Sequence, residues 1–229
     1  MSKLIIDVPE PITLVGGGQG SAADLAETLT MAPHLVAVDG GLSLALEVGT
    51  DPLAVIGDMD SVAPGALARI PPERQHRVSE QQTTDFDKAL RAVRAPVVVG
   101  VGFGGGRVDH QLAAFHTLLV HAERPTILLA EDEIVVLAPP RVTLDCRAGE
   151  TVSLFPMVAV TGTSRGLEWP IDGLDFHPAQ FIGTSNRATG PVEIEMHAPG
   201  MLLIVARRHL RPLVAQFSQG GARWPARAG

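Results

Sequence analysis

Tyrosine is absent from this 229-residue chain, and all aromatic residues together make up 4% of it. Each tryptophan is therefore worth locating. Cys146 is the single cysteine, so no intramolecular disulfide can form and no cysteine cluster can hold zinc. Positive charge is also scarce. Against 25 Asp and Glu stand 18 Lys and Arg, a net charge of −7, which argues against a general affinity for nucleic acid or an anionic membrane. The longest apolar runs, such as Ile127 to Ala130 and Met201 to Ala206, are too short to span a bilayer. The opening residues, MSKLIIDVPEP, carry one early lysine but no sustained apolar stretch and no small-residue cleavage site. A soluble protein of a reducing compartment, the bacterial cytoplasm, is expected. Hydrophobic residues at 45% and charged residues at 19% fit a packed chain rather than a disordered one.

What is present is an alternation. Ile12 to Val15 reads as a strand that ends in Gly16-Gly17-Gly18, and Ser21 can cap a helix reaching about Thr30. Leu35 to Val38 is a second strand, followed by Asp39-Gly40-Gly41 and a helix over Leu42 to Val48. Leu53 to Ile56 precedes Gly57-Asp58-Met59-Asp60. Helices are predicted from Asp85 to Val93 and from Val108 to His121, around a strand at Val97 to Val101; Thr126 to Leu129 closes the series. Apolar, β-branched strands alternating with helices predict an α/β region with a mostly parallel sheet and helices on both faces. In such sheets ligands bind beyond the carboxyl ends of the strands. The glycine and acidic motifs fall at those ends.

After Ala138-Pro139-Pro140 the texture changes. Short apolar runs at Thr151–Phe155, Val158–Val160, Phe181–Ile182, Val192–Met196 and Leu202–Val205 predict an antiparallel β-sandwich or jelly roll, with no long helix. The expected division is an α/β domain over 1–139, a β domain over 140–218 and a loose tail over 219–229, unless Trp224 anchors it.

Several motifs can carry chemistry. Asp58 and Asp60 lie two residues apart after a buried strand, a spacing that lets both approach one hard cation such as Mg²⁺; the bland reading is an acidic turn. Thr84 is placed to cap a helix with Asp85 in its first turn, where an acid is favoured with or without a ligand. Gly104-Gly105-Gly106-Arg107-Val108-Asp109-His110 links a strand to a helix. Its glycines allow close ligand approach, and Arg107 supplies a fork of donors suited to phosphate. Asp109 could orient Arg107, bind a metal or meet a substrate cation; a flexible turn with a surface ion pair is the simpler alternative. Gly16 to Ser21 does not satisfy Gly-x-Gly-x-x-Gly, and the Walker lysine pattern is absent. The eight histidines do not form a metal-ligand pattern. Trp169, beside Pro170, can stack on an aromatic cation or pack in a core. Ser185-Asn186 alone reads as an ordinary turn.

In order, Asp39-Gly40-Gly41, Gly57-Asp58-Met59-Asp60-Ser61, Thr84-Asp85 with Lys88-Ala89-Leu90, Gly105 to His110, Gly166-Leu167-x-Trp169 and Ser185-Asn186 resemble the thiamine pyrophosphokinase family. The resemblance covers nearly the whole chain except the tail. It implies an α/β catalytic domain followed by a β-sandwich, and Mg²⁺-dependent transfer of a diphosphate group from ATP to the hydroxyl of thiamine, releasing AMP. It also implies a homodimer with active sites between subunits. By motif match, Asp58, Asp60 and Asp85 hold the metal. Asp39, Gly40, Gly41, Gln81, Thr84, Lys88, Arg107 and His110 line the ATP site. Asp109 lies near the reacting groups. Trp169 faces the thiamine ring, with Ser185 and Asn186 nearby. Ser43, Gln82, Ala114 and Arg187 depart from the family's usual residues. A pyrophosphokinase for another heterocyclic alcohol, such as a hydroxymethylpterin, and a nucleotide-binding regulatory module without turnover are the competing readings.

Overall fold

The computed structural model describes residues 4–63, 65–80 and 82–226. They fall into two compact units: one runs through Thr117 and takes in Leu128–Ala130, and the other holds Leu118–Ile127 and the described residues from Glu131 on. The division therefore passes through a helix and a strand, and the Ala138-Pro139-Pro140 segment lies wholly within the second unit.

The first unit contains β1 (Ile6–Asp7), β2 (Ile12–Val15), α1 (Ala22–Leu29), β3 (His34–Val38), α2 (Leu42–Glu47), β4 (Ala54–Gly57), β5 (Gln75–Arg77), α3 (Asp85–Ala92), β6 (Val93–Arg94), β7 (Val98–Val101), most of α4 (Val108–Val120) and the end of β8 (Thr126–Leu129). Strands β7-β2-β3-β4-β5 pair in that order, all parallel, while β1 and β6 form a separate parallel pair. Every residue of β2, β4 and β7 is buried, as expected for strands covered on both faces. Val15, Leu25, Leu35, Leu42 and Val55 share one core cluster that joins sheet to helices.

The helices start where their caps allow. The Ser21 hydroxyl accepts from the Asp24 N–H at 3.1 Å, and the Asp24 carboxylate accepts the Ser21 N–H at 2.8 Å, a reciprocal pair that satisfies two otherwise free donors. The Thr84 hydroxyl accepts from the Asp87 N–H at 3.3 Å at the start of α3. Chain order matters for function. From β2 the chain moves toward β3 on one side, whereas β7 pairs on the other, so the sheet reverses direction at β2. Because the strands are parallel, the loops after β2, β3, β4 and β7 all leave one edge there.

The second unit contains β9 (Glu133–Leu137), β10 (Arg141–Leu144), β11 (Thr151–Pro156), β12 (Gly162–Leu167), β13 (Gly183–Met196), β14 (Met201–Ala206) and α5 (Leu210–Ser218). Its pairings are antiparallel. The long β13 serves two sheets. Its first half pairs with β11, which continues to β14 and β9, and its second half lies between β10 and β12. Gly190-Pro191 sits between the halves, where a strand changing sheets needs a bend.

Four local expectations change. Val158–Val160 and Phe181–Ile182 are not strands; Val160 and Phe181 make only isolated bridges, to Phe176 and His177. Ser185-Asn186 belongs to β13 rather than to a turn. A helix follows β14 despite Pro212, because that proline occupies the first turn, where no intrahelical N–H bond is lost. Leu210, Leu213, Val214 and Phe217 form its buried stripe. In the tail, Trp224 is the anchor that its sequence allowed: its indole N–H donates to the Ala138 carbonyl at 2.9 Å. Among the described residues, no helix is long and apolar enough to cross a membrane.

Candidate active site

A cleft of about 1000 Å³ opens at the carboxyl edge of the parallel strands. Two glycine loops form one wall. The Gly18 N–H donates to the Gly102 carbonyl at 2.8 Å and the Gln19 N–H to the Gly104 carbonyl at 3.3 Å, which zips the loop after β2 to the loop after β7. Gly105 has φ of 70°, and a Cβ there would also run into the Gln19 side chain. Gly41 is fixed by packing instead, since its Cβ would collide with the Val15 carbonyl. These positions admit backbone and little else, which suits close approach to phosphate.

The opposite chemistry is acidic. Asp39, Asp58 and Asp60 each bring a carboxylate oxygen within 4.8 Å of the others. Met59, at φ 69°, turns the chain between Asp58 and Asp60 so that both reach this space. The Asp60 N–H donates to Asp58 Oδ1 at 3.2 Å, and the Ser61 hydroxyl to Asp60 Oδ1 at 3.0 Å. Asp39 is the strained and buried member. It has φ of 47°, is 9% exposed, and its Oδ1 has no hydrogen-bond partner. Burial pushes its carboxyl above the usual range; the Ser61 hydroxyl beside it opposes this, and the charges of Asp85 and Asp58 add to it. A buried oxygen without a donor, beside two more carboxylates, is a site short of positive charge. Hard oxygen donors in this number fit Mg²⁺, which takes one or two carboxylates, water and phosphate oxygens.

Of the residues expected at an ATP site, Asp39, Gly40, Thr84, Arg107 and His110 line the cleft, as do the metal candidates Asp58, Asp60 and Asp85. Asp85 is not within 4.8 Å of all three acids but is near enough for its charge to act on Asp39, and its Oδ1 accepts from Lys88 Nζ at 2.9 Å. Lys88 is 3% exposed and borders a different cavity, so its ammonium holds Asp85 and does not itself line the cleft. Arg107 forms a fork with Asp109, Nε to Oδ1 at 3.1 Å and Nη2 to Oδ2 at 2.7 Å. The arginine holds the exposed Asp109 carboxyl below its ordinary range. Of the two, only Arg107 lines the cleft. Gln81 lies outside the described residues. Ser43 and Ala114, two of the departures, also line the cleft. Residue reasoning did not set Asp39 among the metal candidates or Phe103 at the cleft wall. The strand-end acid before two glycines was the available signal for Asp39; Phe103, stacked on Phe86 with ring centroids 4.3 Å apart, follows a strand end directly.

The second unit carries the other expected site residues. Trp169 is 53% exposed, which rules out the core-packing alternative. Ser185 adopts φ of 62°, and its N–H donates to the Ser153 hydroxyl at 3.0 Å. Asn186 is buried against the Trp169 peptide. A further cluster, Cys146, Glu150 and His209, also comes within ligand range. Glu150, however, is clamped by the Arg208 guanidinium and accepts the Arg147 N–H at 2.7 Å. Burial pushes the Cys146 thiol up to about 11, so the group is a neutral thiol beside a satisfied ion pair.

Fold and cleft together define an α/β protein with a glycine-walled, acidic site at the switch point of a parallel sheet, joined to an antiparallel β unit. Residues 25–129 match the model described as "Thiamin pyrophosphokinase, catalytic domain", and residues 141–200 match "Thiamin pyrophosphokinase, vitamin B1 binding domain". The chain belongs to the thiamin pyrophosphokinase family. It is 26% identical over 155 residues to thiamine pyrophosphokinase 2 of Oryza sativa subsp. japonica, covering 59% of this chain and 58% of that protein. It is 24% identical over 163 residues to thiamine pyrophosphokinase 1 of Arabidopsis thaliana, covering 63% and 61%. The match thus spans about three-fifths of these relatives. The fold matches a Geobacillus thermodenitrificans thiamin pyrophosphokinase at TM-score 0.69 and 23% identity, over 85% of this chain and 96% of that one. It matches the Candida albicans enzyme at TM-score 0.73 and 16% identity, over 90% and 94%.

Proposed function

We propose that this protein is a thiamine diphosphokinase, transferring a diphosphate group from ATP to the hydroxyl of thiamine to give thiamine diphosphate and AMP. The observation that carries the reading is the buried, partnerless Oδ1 of Asp39 beside Asp58 and Asp60, in the same cleft as Arg107 and the two glycine loops. Acids alone would repel a triphosphate; acids around a cation attract it. Asp39, Asp58 and Asp60 would hold Mg²⁺, with Asp85 close enough to add its charge. Bound there, the ion supplies charge neutralisation of the polyphosphate.

The chain's own part is positioning. Backbone N–H groups of the glycine loops and the Arg107 N–H groups that Asp109 leaves free bind phosphate oxygens, with Gly40, Thr84 and His110 building the surrounding ATP site and Lys88 holding Asp85. Asp109 keeps the Arg107 guanidinium oriented. The thiamine hydroxyl oxygen then forms a bond to the β-phosphorus as the bond from that phosphorus to the α–β bridging oxygen breaks. AMP leaves with that oxygen, and the hydroxyl proton passes to solvent. Exposed Trp169 offers its ring face to the cationic thiazolium, with Ser185 nearby. A homodimer in which Trp169 serves a partner's cleft, in the cytoplasm, completes the proposal. Incubation with ATP, Mg²⁺ and thiamine tests it. Thiamine diphosphate and AMP are expected; ADP as the nucleotide product, or turnover only with a pterin alcohol, refutes it.

A further inference from the structure

Asn186 lies in β13 at 6% exposure, and its amide grips the Trp169 peptide from both sides. Its Oδ1 accepts the Trp169 N–H at 3.2 Å and the Arg187 N–H at 2.8 Å, while Nδ2 donates to the Trp169 carbonyl at 2.7 Å. Neighbouring bonds fasten the same stretch. The Glu168 N–H donates to the Arg187 carbonyl at 2.7 Å, and the Thr189 hydroxyl donates to the Gly166 carbonyl at 3.2 Å. The indole meanwhile is half exposed. A side chain fixed at its peptide and open at its ring is prepared for stacking, because binding then costs little loop ordering.

We propose that Asn186 is a positioning residue that acts through Trp169 and makes no contact with the ligand itself. Its burial turns the amide toward the Trp169 peptide, away from solvent. The role rests on the reading above, in which Trp169 receives the thiamine ring.

Trp169 and Trp224 are the only tryptophans, so a Trp224→Phe background makes Trp169 the sole emitter. In that background Asn186→Ala is expected to add a fast, large-amplitude component to the time-resolved fluorescence anisotropy. The same change should raise the KM for thiamine roughly ten-fold, the equivalent of one or two net hydrogen bonds, with kcat and the KM for ATP held. Asn186→Asp keeps the acceptor and loses the donor, and should fall between; it carries the test should the alanine variant fail to fold. In a Trp169→Ala background, Asn186→Ala should add less than about two-fold, since coupled residues are not additive. Unchanged anisotropy overturns the proposal, and so does a KM effect that persists in full without Trp169. Absence of thiamine turnover in the wild type defeats the functional reading and the positioning role with it. Normal turnover with unchanged anisotropy defeats the positioning role alone.

Discussion

Replacing Asp39 with asparagine separates what this carboxylate does for the fold from what it does for the site. Asparagine is nearly isosteric and tolerates the left-handed backbone that φ of 47° requires, so the change adds no conformational cost. It removes a buried negative charge whose Oδ1 lacks a donor and which is repelled by Asp58 and Asp85. The neutral amide relieves that repulsion and presents N–H donors to the neighbouring carboxylates, and a hydrogen bond to a charged group is worth about 1–3 kcal/mol. Without divalent cation, Asp39→Asn should therefore be more stable than the wild type by about 1 kcal/mol, a rise of several degrees in Tm. The pH dependence has the same origin. A carboxyl whose folded pKa lies above its unfolded value binds more protons when folded, so it gains stability as pH falls through that raised pKa. The wild type should show this gain and the variant should not. With Mg²⁺ and ATP the order reverses: the variant should lose at least about ten-fold in Mg²⁺-ATP affinity, because one carboxylate fewer faces the cation. Calorimetric melting with EDTA and with Mg²⁺-ATP reads both signs. A variant less stable without metal, or one as responsive to Mg²⁺-ATP as the wild type, refutes the reasoning.

Other expectations follow from the same geometry. Lys88→Met leaves Asp85 without its buried partner and should cost about 1–3 kcal/mol in urea unfolding, since a broken buried pair strands a charge; an unchanged midpoint would show the pair to be idle. Trp169→Ala should weaken thiamine binding by about 1–2 kcal/mol through lost cation–π contact, without lowering Tm, because the ring is exposed. Equal thiamine affinity in isothermal titration would remove Trp169 from the site. Arg208 holds the Glu150 carboxyl down to about 2, so this pair stabilises the fold above the ordinary glutamate pKa. That stability should drain away as pH falls from about 4.5 toward 2. Glu150→Gln should flatten this acid limb in pH-dependent unfolding; an unaltered limb would assign it to other carboxylates.

Much of the first unit was legible because its signals are local. Ser21 and Thr84 cap the helices that follow them, and β-branched runs became the buried parallel strands. Strand-end motifs foretold where the cleft opens. The second unit was harder to read. Burial alternates along β13, but the inward positions of its first half are Asn186 and Ala188 rather than large apolar residues, so Ser185-Asn186 looked like a turn. Pro212 masked α5, although it stands where a helix tolerates proline. Within the site, sequence order could supply the acids but not their partners. Lys88 at three residues from Asp85 closes on it across one helical turn and supplies its partner. Asp39 enters that cluster from another strand end, a convergence that only the tertiary structure can produce.

The central claim is that Asp39, Asp58 and Asp60 share one divalent cation. Crystals grown with Mn²⁺ and a non-hydrolysable ATP analogue test it through anomalous scattering. The account predicts a peak bonded to oxygens of all three carboxylates and of the phosphates. A peak held by Asp58, Asp60 and Asp85 with Asp39 left unligated, or manganese found only elsewhere, would contradict it.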